Sequence, residues 1–501
     1  MTPGKVWLVG AGPGDPGLLT LRGARAIAAC DAIVYDRLVS AAILAMASPA
    51  CEKIYVGKKA GTPSIAQGEI TALLVRLAHA GKRVVRLKGG DPFVFARGGE
   101  EAADLRAAGI PFEIVPGITS ALAVPAYAGI PATHRDHNTT ITIATGHEDP
   151  TEAHSSLDFS KLANAKQTLV FLMAMANLPA IVAKLREHGL PDDLPVAIVR
   201  DGTKPTQETL LGTLATIVDE VARVAFEAPA VVVIGTVVNE RETLRWFDTN
   251  PLFGKRVLVT RARESADEFA EKLWERGAEP LVAPAIAIGP PDDPAPARAV
   301  LERLNTYAWV AFTSQNGVDA CFAGLAAANA DARRFGATKV AAIGTKTAAR
   351  LLERGIRADY VPEEFVAERI AAGLLERTRP GDRILIYGAQ EMRPALARAL
   401  RENGRPVDTI AAYQTTHVHD ATLVAHAAAA DVWTFTSGST VASFVENVPH
   451  AAELARTKIV ACIGPVTADA AREHGLPVHV VAGDATVDGL ILALDAAHAL
   501  S

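Results

Sequence analysis

The stretch "VWLVGAGPGDPGLLTL" (residues 6–21) sets the first decision about this chain: a short apolar run, a burst of glycine and proline, then the start of a helical pattern. A dinucleotide-binding turn reads G-x-G-x-x-G, with the third glycine letting the helix pack on the strand while the helix N-terminus faces a pyrophosphate. Here Gly10, Gly12 and Gly14 give G-x-G-x-G, and Asp15 takes the third position. A carboxylate there repels phosphate, which disfavours an NAD-dependent dehydrogenase. The next apolar run, "DAIVYD" (residues 31–36), nevertheless ends in Asp36, near where a dinucleotide fold keeps its ribose-binding acid. The local signals conflict, so the rest of the chain decides.

A length of 501 residues implies roughly two to four domains. Hydrophobic residues at 49% and charged ones at 21% are those of a globular protein, and the net charge of -6 argues against a nucleic-acid partner, which needs a basic face. The four cysteines, Cys30, Cys51, Cys321 and Cys462, lack C-x-x-C spacing, so neither a zinc site nor a disulfide framework is expected. The start "MTPGK" has no charged segment leading into an apolar one, and no apolar run has the length to span a bilayer. The expectation is a cytoplasmic protein with no metal and no membrane partner.

Runs rich in Val and Ile alternate with Ala-rich helical patterns, which argues an α/β architecture with mainly parallel sheets. A break falls in "LRWFDTNPLFGKRVLVTR", where Asn-Pro and Gly punctuate the chain; residues 248–253 are the expected linker between halves 1–247 and 254–501. The second half repeats itself. "AWVAFTSQNGVDACF" (residues 308–322) matches "DVWTFTSGSTVASFV" (431–445), and "KVAAIGTKTAARLLERGIRADYV" (339–361) matches "KIVACIGPVTADAAREHGLPVHVV" (458–481). Two copies of one α/β unit follow, with a ligand expected in a cleft between similar lobes.

In "RLKGGDPFVFARGGEE" (residues 86–101) a strand ends at Lys88, and Gly89 and Gly90 let backbone approach a ligand closely. Asp91 sits where the strand end meets a loop, and a plain Gly-Asp-Pro turn explains it too. In "VPGITSALAVPAYAGIPATHR" (115–135), Thr119 and Ser120 follow a Pro-Gly turn as helix caps, ligand contacts or both. With "YDRLVS" and "ATGH", these motifs make residues 6–247 resemble the uroporphyrinogen-III C-methyltransferases of the tetrapyrrole methylase family. The resemblance implies a two-lobed fold, S-adenosylmethionine as donor with S-adenosylhomocysteine as product, double methylation of uroporphyrinogen III to precorrin-2, and a homodimer through this half. It places cofactor contacts at Pro13, Gly89, Gly90, Asp91, Val94, Thr119, Ser120, Met173 and Gly202, a proton acceptor at Asp36, and a proton donor at Lys58 in "YVGKKAG". It also resolves the opening conflict, because this donor has no phosphate and its sulfonium is positive, so Asp15 or Asp91 nearby is tolerable. The alkylated pyrrole must lose a proton, for which a carboxylate is apt. A solvated strand-end Asp36 and a surface Lys58 are the plain alternatives. Two departures from the family pattern are Ala96, where glycine is usual, and Ala174.

The second half resembles the uroporphyrinogen-III synthases through "FTSQNGV", "AAIGTKTA", "AAYQT", "FTSGSTV" and "CIGPVTADAA". The resemblance implies a two-lobed α/β synthase fold, lobe one being 254–288 and 415–501 and lobe two 289–414, that closes hydroxymethylbilane with inversion of ring D. Tyr413 matches the tyrosine that assists hydroxyl loss; a strand tyrosine with its hydroxyl satisfied is the alternative. Thr313, Ser314, Thr345, Thr436, Ser437 and Thr467 are expected at strand ends facing the cleft, where hydroxyls and helix N-termini meet substrate carboxylates. Helix capping explains each of them as well. The expected function is a bifunctional enzyme of sirohaem and cobalamin biosynthesis acting on tetrapyrroles; the alternative is an active methyltransferase fused to a non-catalytic tetrapyrrole-binding or regulatory module.

Overall fold

The apolar runs of the first half become strands buried on both faces, as parallel packing requires. In a computed structural model that describes residues 4–57, 66–148, 150, 156–363, 367–392, 394–418 and 421–498, β1 (Val6–Gly10), β2 (Ala32–Tyr35), β3 (Glu52–Tyr55), β4 (Val84–Lys88) and β5 (Phe112–Val115) form a sheet of order β3-β2-β4-β1-β5. Every pairing in it is parallel. One face packs around Val9, Ile27, Ile33 and Leu87, the other around Leu8, Leu74, Val84 and Leu105. The helix Leu21–Ala29 does not start inside the glycine turn. A separate 3-10 turn, Pro16–Leu18, intervenes, and the helix is capped by Thr20, whose hydroxyl accepts from the Gly23 N–H at 3.1 Å.

The next strands, β6 (Thr140–Thr145), β7 (Gln167–Leu172), β8 (Pro195–Arg200), β9 (Glu208–Thr213) and β10 (Ala230–Ile234), form a second sheet of order β6-β7-β10-β8-β9. Here the expected parallel arrangement gives way. Only β6 and β7 run parallel; β10 is antiparallel to both of its neighbours, and β8 returns directly into β9 as a hairpin. A short connection without a crossover helix leaves no other option.

The second half contributes β11 (Arg256–Val259), β12 (Glu279–Val282), β13 (Ile286–Gly289), β14 (Trp309–Phe312), β15 (Lys339–Ala342), β16 (Ile384–Ala389), β17 (Val407–His417), β18 (Val432–Phe435), β19 (Ile459–Cys462) and β20 (Val480–Val481). They build two sheets, β12-β11-β18-β19-β20 and β13-β17-β16-β14-β15. The long strand β17 runs parallel to β16 and antiparallel to β13, with Ile286 opposite His417 and Gly289 opposite Gln414. The sequence repeat is visible element by element. β14, the helix Gln315–Ala327, β15 and the helix Thr345–Glu353 correspond to β18, the helix Gly438–Asn447, β19 and the helix Pro465–Glu473. The repeated "TS" turns cap equivalent helices: the Ser314 hydroxyl accepts from Gly317 N–H at 3.0 Å and the Ser437 hydroxyl from Thr440 N–H at 3.2 Å.

The chain divides into two compact units, Met1–Arg256 with Lys272–Pro280 and Asp495–Ser501, and Val257–Glu271 with Leu281–Leu494. The segment expected as a linker is hydrogen-bonded chain: Asp248 accepts from Arg241 and Arg245, and Leu252 is buried. No helix among the described residues is long and apolar enough to cross a membrane.

Candidate active site

At the carboxyl ends of β1 and β4, where ligands of parallel α/β sheets collect, two glycine loops are joined into one floor. Gly90 N–H donates to Gly12 O at 2.7 Å and Gly12 N–H to Gly90 O at 3.1 Å. Gly117 closes against the same floor: a Cβ on it would lie 2.3 Å from Gly90 O and 2.7 Å from Gly10 Cα. Above the floor is a cavity of about 550 Å³ between the two sheets of the first half. Pro13, Gly89, Gly90, Val94 and Ser120 line it from one lobe, and Met173 and Gly202 from the other. Asp91 and Thr119 stand behind this wall and shape it. Asp91 accepts from Phe93 N–H at 2.8 Å and from Gly117 N–H at 3.0 Å, while the Thr119 hydroxyl accepts from Ala121 N–H at 3.4 Å as the helix N-cap. Of the two departures, Ala96 lines the cavity, whereas Ala174 is fully buried and packs on Gly146, where a second Cβ would come within 2.6 Å of it.

Left-handed backbone concentrates here. Phe95 (φ 51°), Met173 (57°) and Asp201 (46°) line the cavity, and Arg97 (60°) and Thr203 (70°) adjoin it. Each such conformation costs about 1–3 kcal/mol and persists only where the surroundings impose it, as at ligand clamps.

Asp15, which spoiled the phosphate-binding fingerprint, is a bracket. Its carboxylate accepts from Gly17 N–H at 2.7 Å and from the Tyr127 hydroxyl at 2.6 Å, and its own N–H donates to the Thr203 hydroxyl at 3.2 Å. It thereby ties the loop after β1 to the helix Ser120–Tyr127 and to the β8–β9 hairpin. Burial, and then the Asp15 carboxylate, push the Tyr127 hydroxyl above the usual tyrosine range, so it remains a donor.

Asp36 lines the cavity just beyond β2, accepting from Leu38 N–H at 3.1 Å, with its other oxygen 3.6 Å from Arg86 Nη2. Behind it lies a buried charged group that the sequence reading missed. The fully buried Glu101 accepts from Arg86 Nε at 3.2 Å, Lys88 Nζ at 3.0 Å and Gln67 Nε2 at 2.8 Å through one oxygen. Its second oxygen is buried without a partner. Lys88 also lines the cavity, and burial, with Arg86 adding to it, holds its ammonium below the usual lysine range. Lys58 lies outside the described residues.

In the second half, two of the expected residues meet: the Tyr413 hydroxyl donates to the Ser314 hydroxyl at 3.0 Å. Thr313 directly follows β14, Thr436 and Ser437 directly follow β18 in the other sheet, and Thr345 is the exposed first residue of its helix. Thr467 is a correction. Proline opens the helix Pro465–Glu473, which places Thr467 within its first turn on the packed side, 5% exposed rather than at a strand end.

Fold and site define a two-part α/β enzyme whose first part holds a glycine-floored cavity of about 550 Å³ between its two sheets. The family description "Tetrapyrrole (Corrin/Porphyrin) Methylases" matches residues 5–218, and "Uroporphyrinogen-III synthase HemD" matches residues 267–492. The chain is 38% identical to "Porphyrin biosynthesis protein HemD" of Ruminiclostridium josui over 98% of this chain and 97% of that one. It is 41% identical to "Uroporphyrinogen-III C-methyltransferase" of Bacillus subtilis (strain 168) over 71% and 72%. With "S-adenosyl-L-methionine-dependent uroporphyrinogen III methyltransferase" of Methanosarcina barkeri it shares 51% identity over 48% of this chain and 94% of that one. The chain belongs to the tetrapyrrole-biosynthesis family in which a tetrapyrrole methylase is joined to a uroporphyrinogen-III synthase, and it is a bifunctional enzyme of that kind.

Proposed function

We propose that residues 1–247 transfer methyl groups from S-adenosylmethionine to two ring carbons of uroporphyrinogen III, giving precorrin-2, and that residues 254–501 close hydroxymethylbilane with inversion of ring D. The observation that carries the first reaction is the glycine-floored cavity with Asp36 on its wall. Its size and its apolar lining, including Val94, Val124, Val199 and Val231, suit a purine and a thioether. When bound, S-adenosylmethionine supplies a methyl group on a positive sulfonium. Pro13, Gly89 and Gly90 offer backbone at close range, Met173 and Gly202 form the opposing wall, and Asp91 and Thr119 hold the loops in shape. Asp36 accepts the ring proton after methylation, with Arg86 orienting the carboxylate. Lys58 is carried as the proton donor on the strength of its motif alone. The intact chain incubated with uroporphyrinogen III and methyl-labelled S-adenosylmethionine should incorporate two labels per macrocycle; no incorporation contradicts the assignment.

Gly202 gives a narrower test. A Cβ there would come within 2.4 Å of Val124 Cγ1, a stiff β-branched group on a packed helix. Gly202→Ala should force the two cavity walls apart at a cost of about 1–3 kcal/mol. Closing the separated walls on S-adenosylhomocysteine restores that clash, so by calorimetry the ligand should bind about 5- to 150-fold more weakly, since about 1.4 kcal/mol is tenfold. Unchanged affinity would place the ligand elsewhere.

For ring closure, Tyr413 is carried on its motif: its hydroxyl donates to the Ser314 hydroxyl, which fixes its direction, and it must leave that bond to donate to a departing oxygen. Tyr413→Phe should slow closure by at most about 10²-fold, the lower end of what a positioned general acid contributes. Methylation of added uroporphyrinogen III should be unaffected. Closure at the parental rate would assign Tyr413 a packing role.

A further inference from the structure

Away from the cavity, three side chains with ligating atoms converge on one point of the first half. His137 Nε2 lies 2.7 Å from Glu240 Oε1, and with His134 their ligating atoms all fall within 4.8 Å of one another. The expectation of no metal site rested on cysteine spacing, which has no bearing on a histidine set.

The groups are carried on firm backbone. His134 O accepts from both His137 N–H at 3.1 Å and Asn138 N–H at 3.0 Å, which makes a tight turn with the two imidazoles three residues apart. Buried Asn138 locks that turn: its carbonyl accepts from His134 N–H at 3.0 Å, and its amide donates to Thr140 O at 2.9 Å and to the Thr168 hydroxyl at 2.7 Å. On the other side, Glu240 ends the 3-10 helix Thr236–Glu240, and the next residue, Arg241, is buried and bonded to Ala128 O and Asp248. The three side chains are half-buried, at 33%, 21% and 25% exposed, so an ion could enter and keep a water.

We propose that His134, His137 and Glu240 bind one divalent transition-metal ion, which staples the segment before β6 to the turn after β10. Two imidazoles and a carboxylate form the three-ligand set that suits zinc and its neighbours rather than magnesium or calcium, with a fourth position left to water. Ligand distances of about 2.0–2.1 Å about a tetrahedral ion put ligand atoms about 3.3–3.4 Å apart, so a spread of 4.8 Å closes by about 1.4 Å and the 2.7 Å His137–Glu240 contact opens, both by side-chain rotation. The His134 ring is positioned by its own turn, where Nδ1 accepts from the Asp136 N–H at 3.3 Å.

The test uses the intact chain, stripped with a chelator and dialysed, then titrated with zinc chloride by calorimetry. One saturable site per chain is expected, with a rise in melting temperature on loading. His137→Ala and Glu240→Gln should each weaken binding by at least about 100-fold, the upper end of what loss of a mere outer-shell partner costs. Glu240→Gln retains a hydrogen-bonding partner for His137, so its loss of affinity is not a loss of fold. His79→Ala, an exposed histidine on another helix, should bind as the parent does. No saturable binding, or equal binding by the parent, His137→Ala and Glu240→Gln, overturns the site.

Discussion

Asp36→Asn is expected to slow methylation of uroporphyrinogen III by about 10²- to 10⁴-fold, the range of a positioned general base, while the same chain closes hydroxymethylbilane at the parental rate. The substitution keeps the shape of the side chain and an oxygen to accept from Leu38 N–H. What it removes is the negative charge facing Arg86 and the capacity to take a proton. The deficit should appear in kcat, with S-adenosylhomocysteine affinity changed little, because in the proposed binding mode the cofactor rests on the glycine floor and the apolar walls rather than on Asp36. Methylation within about threefold of the parent, against the expectation from a missing base, would show that another group takes the proton.

Glu101→Ala should be the most damaging single change to the stability of the first half. It leaves Arg86 and Lys88, 4% and 5% exposed at their side chains, without the carboxylate that both contact. Removing one partner of a buried ion pair costs about 3–5 kcal/mol. Hydrogen exchange of the β4 peptide, read by mass spectrometry, should speed up by about 10²-fold or more. The deficit has a definite pH dependence. With Lys88 held below its ordinary 10.5, the folded state binds fewer protons than the unfolded chain in the window between the lowered value and 10.5, so stability rises with pH there. The variant should therefore recover part of its loss as the solution becomes alkaline and Lys88 sheds its charge. Exchange at the parental rate would mean that the two cations do not depend on Glu101.

The motif residues of the cavity were legible because glycine and proline report backbone requirements directly. Gly89, Gly90 and Pro13 all line the cavity, and Gly90 has the left-handed backbone that favours glycine. Asp15 was harder: one carboxylate in a loop can face a ligand or bind its own chain, and only the long-range bonds to Tyr127 and Thr203 decide for the second. The Arg86–Lys88–Glu101 group left a signal that went unused. A parallel strand buried on both faces is ordinarily a continuous apolar run, so two cations at alternate positions of "VVRLK" demand a buried partner on the same face. Glu101, in the first turn of the helix Gly98–Ala107, is that partner. The place of Thr467 was less legible, since a helix opened by Pro465 after Gly464 carries it into the first turn, whereas a capping threonine would sit at the strand end. The antiparallel pairings of the second sheet were illegible because β8 and β10 have the same Val- and Ile-rich composition as parallel core strands.

The most direct measurement supplies the intact chain with hydroxymethylbilane and S-adenosylmethionine together and identifies the tetrapyrrole formed. A doubly methylated macrocycle with ring D inverted is the expected product. Recovery of only the uninverted, unmethylated macrocycle would contradict both reactions assigned to this chain.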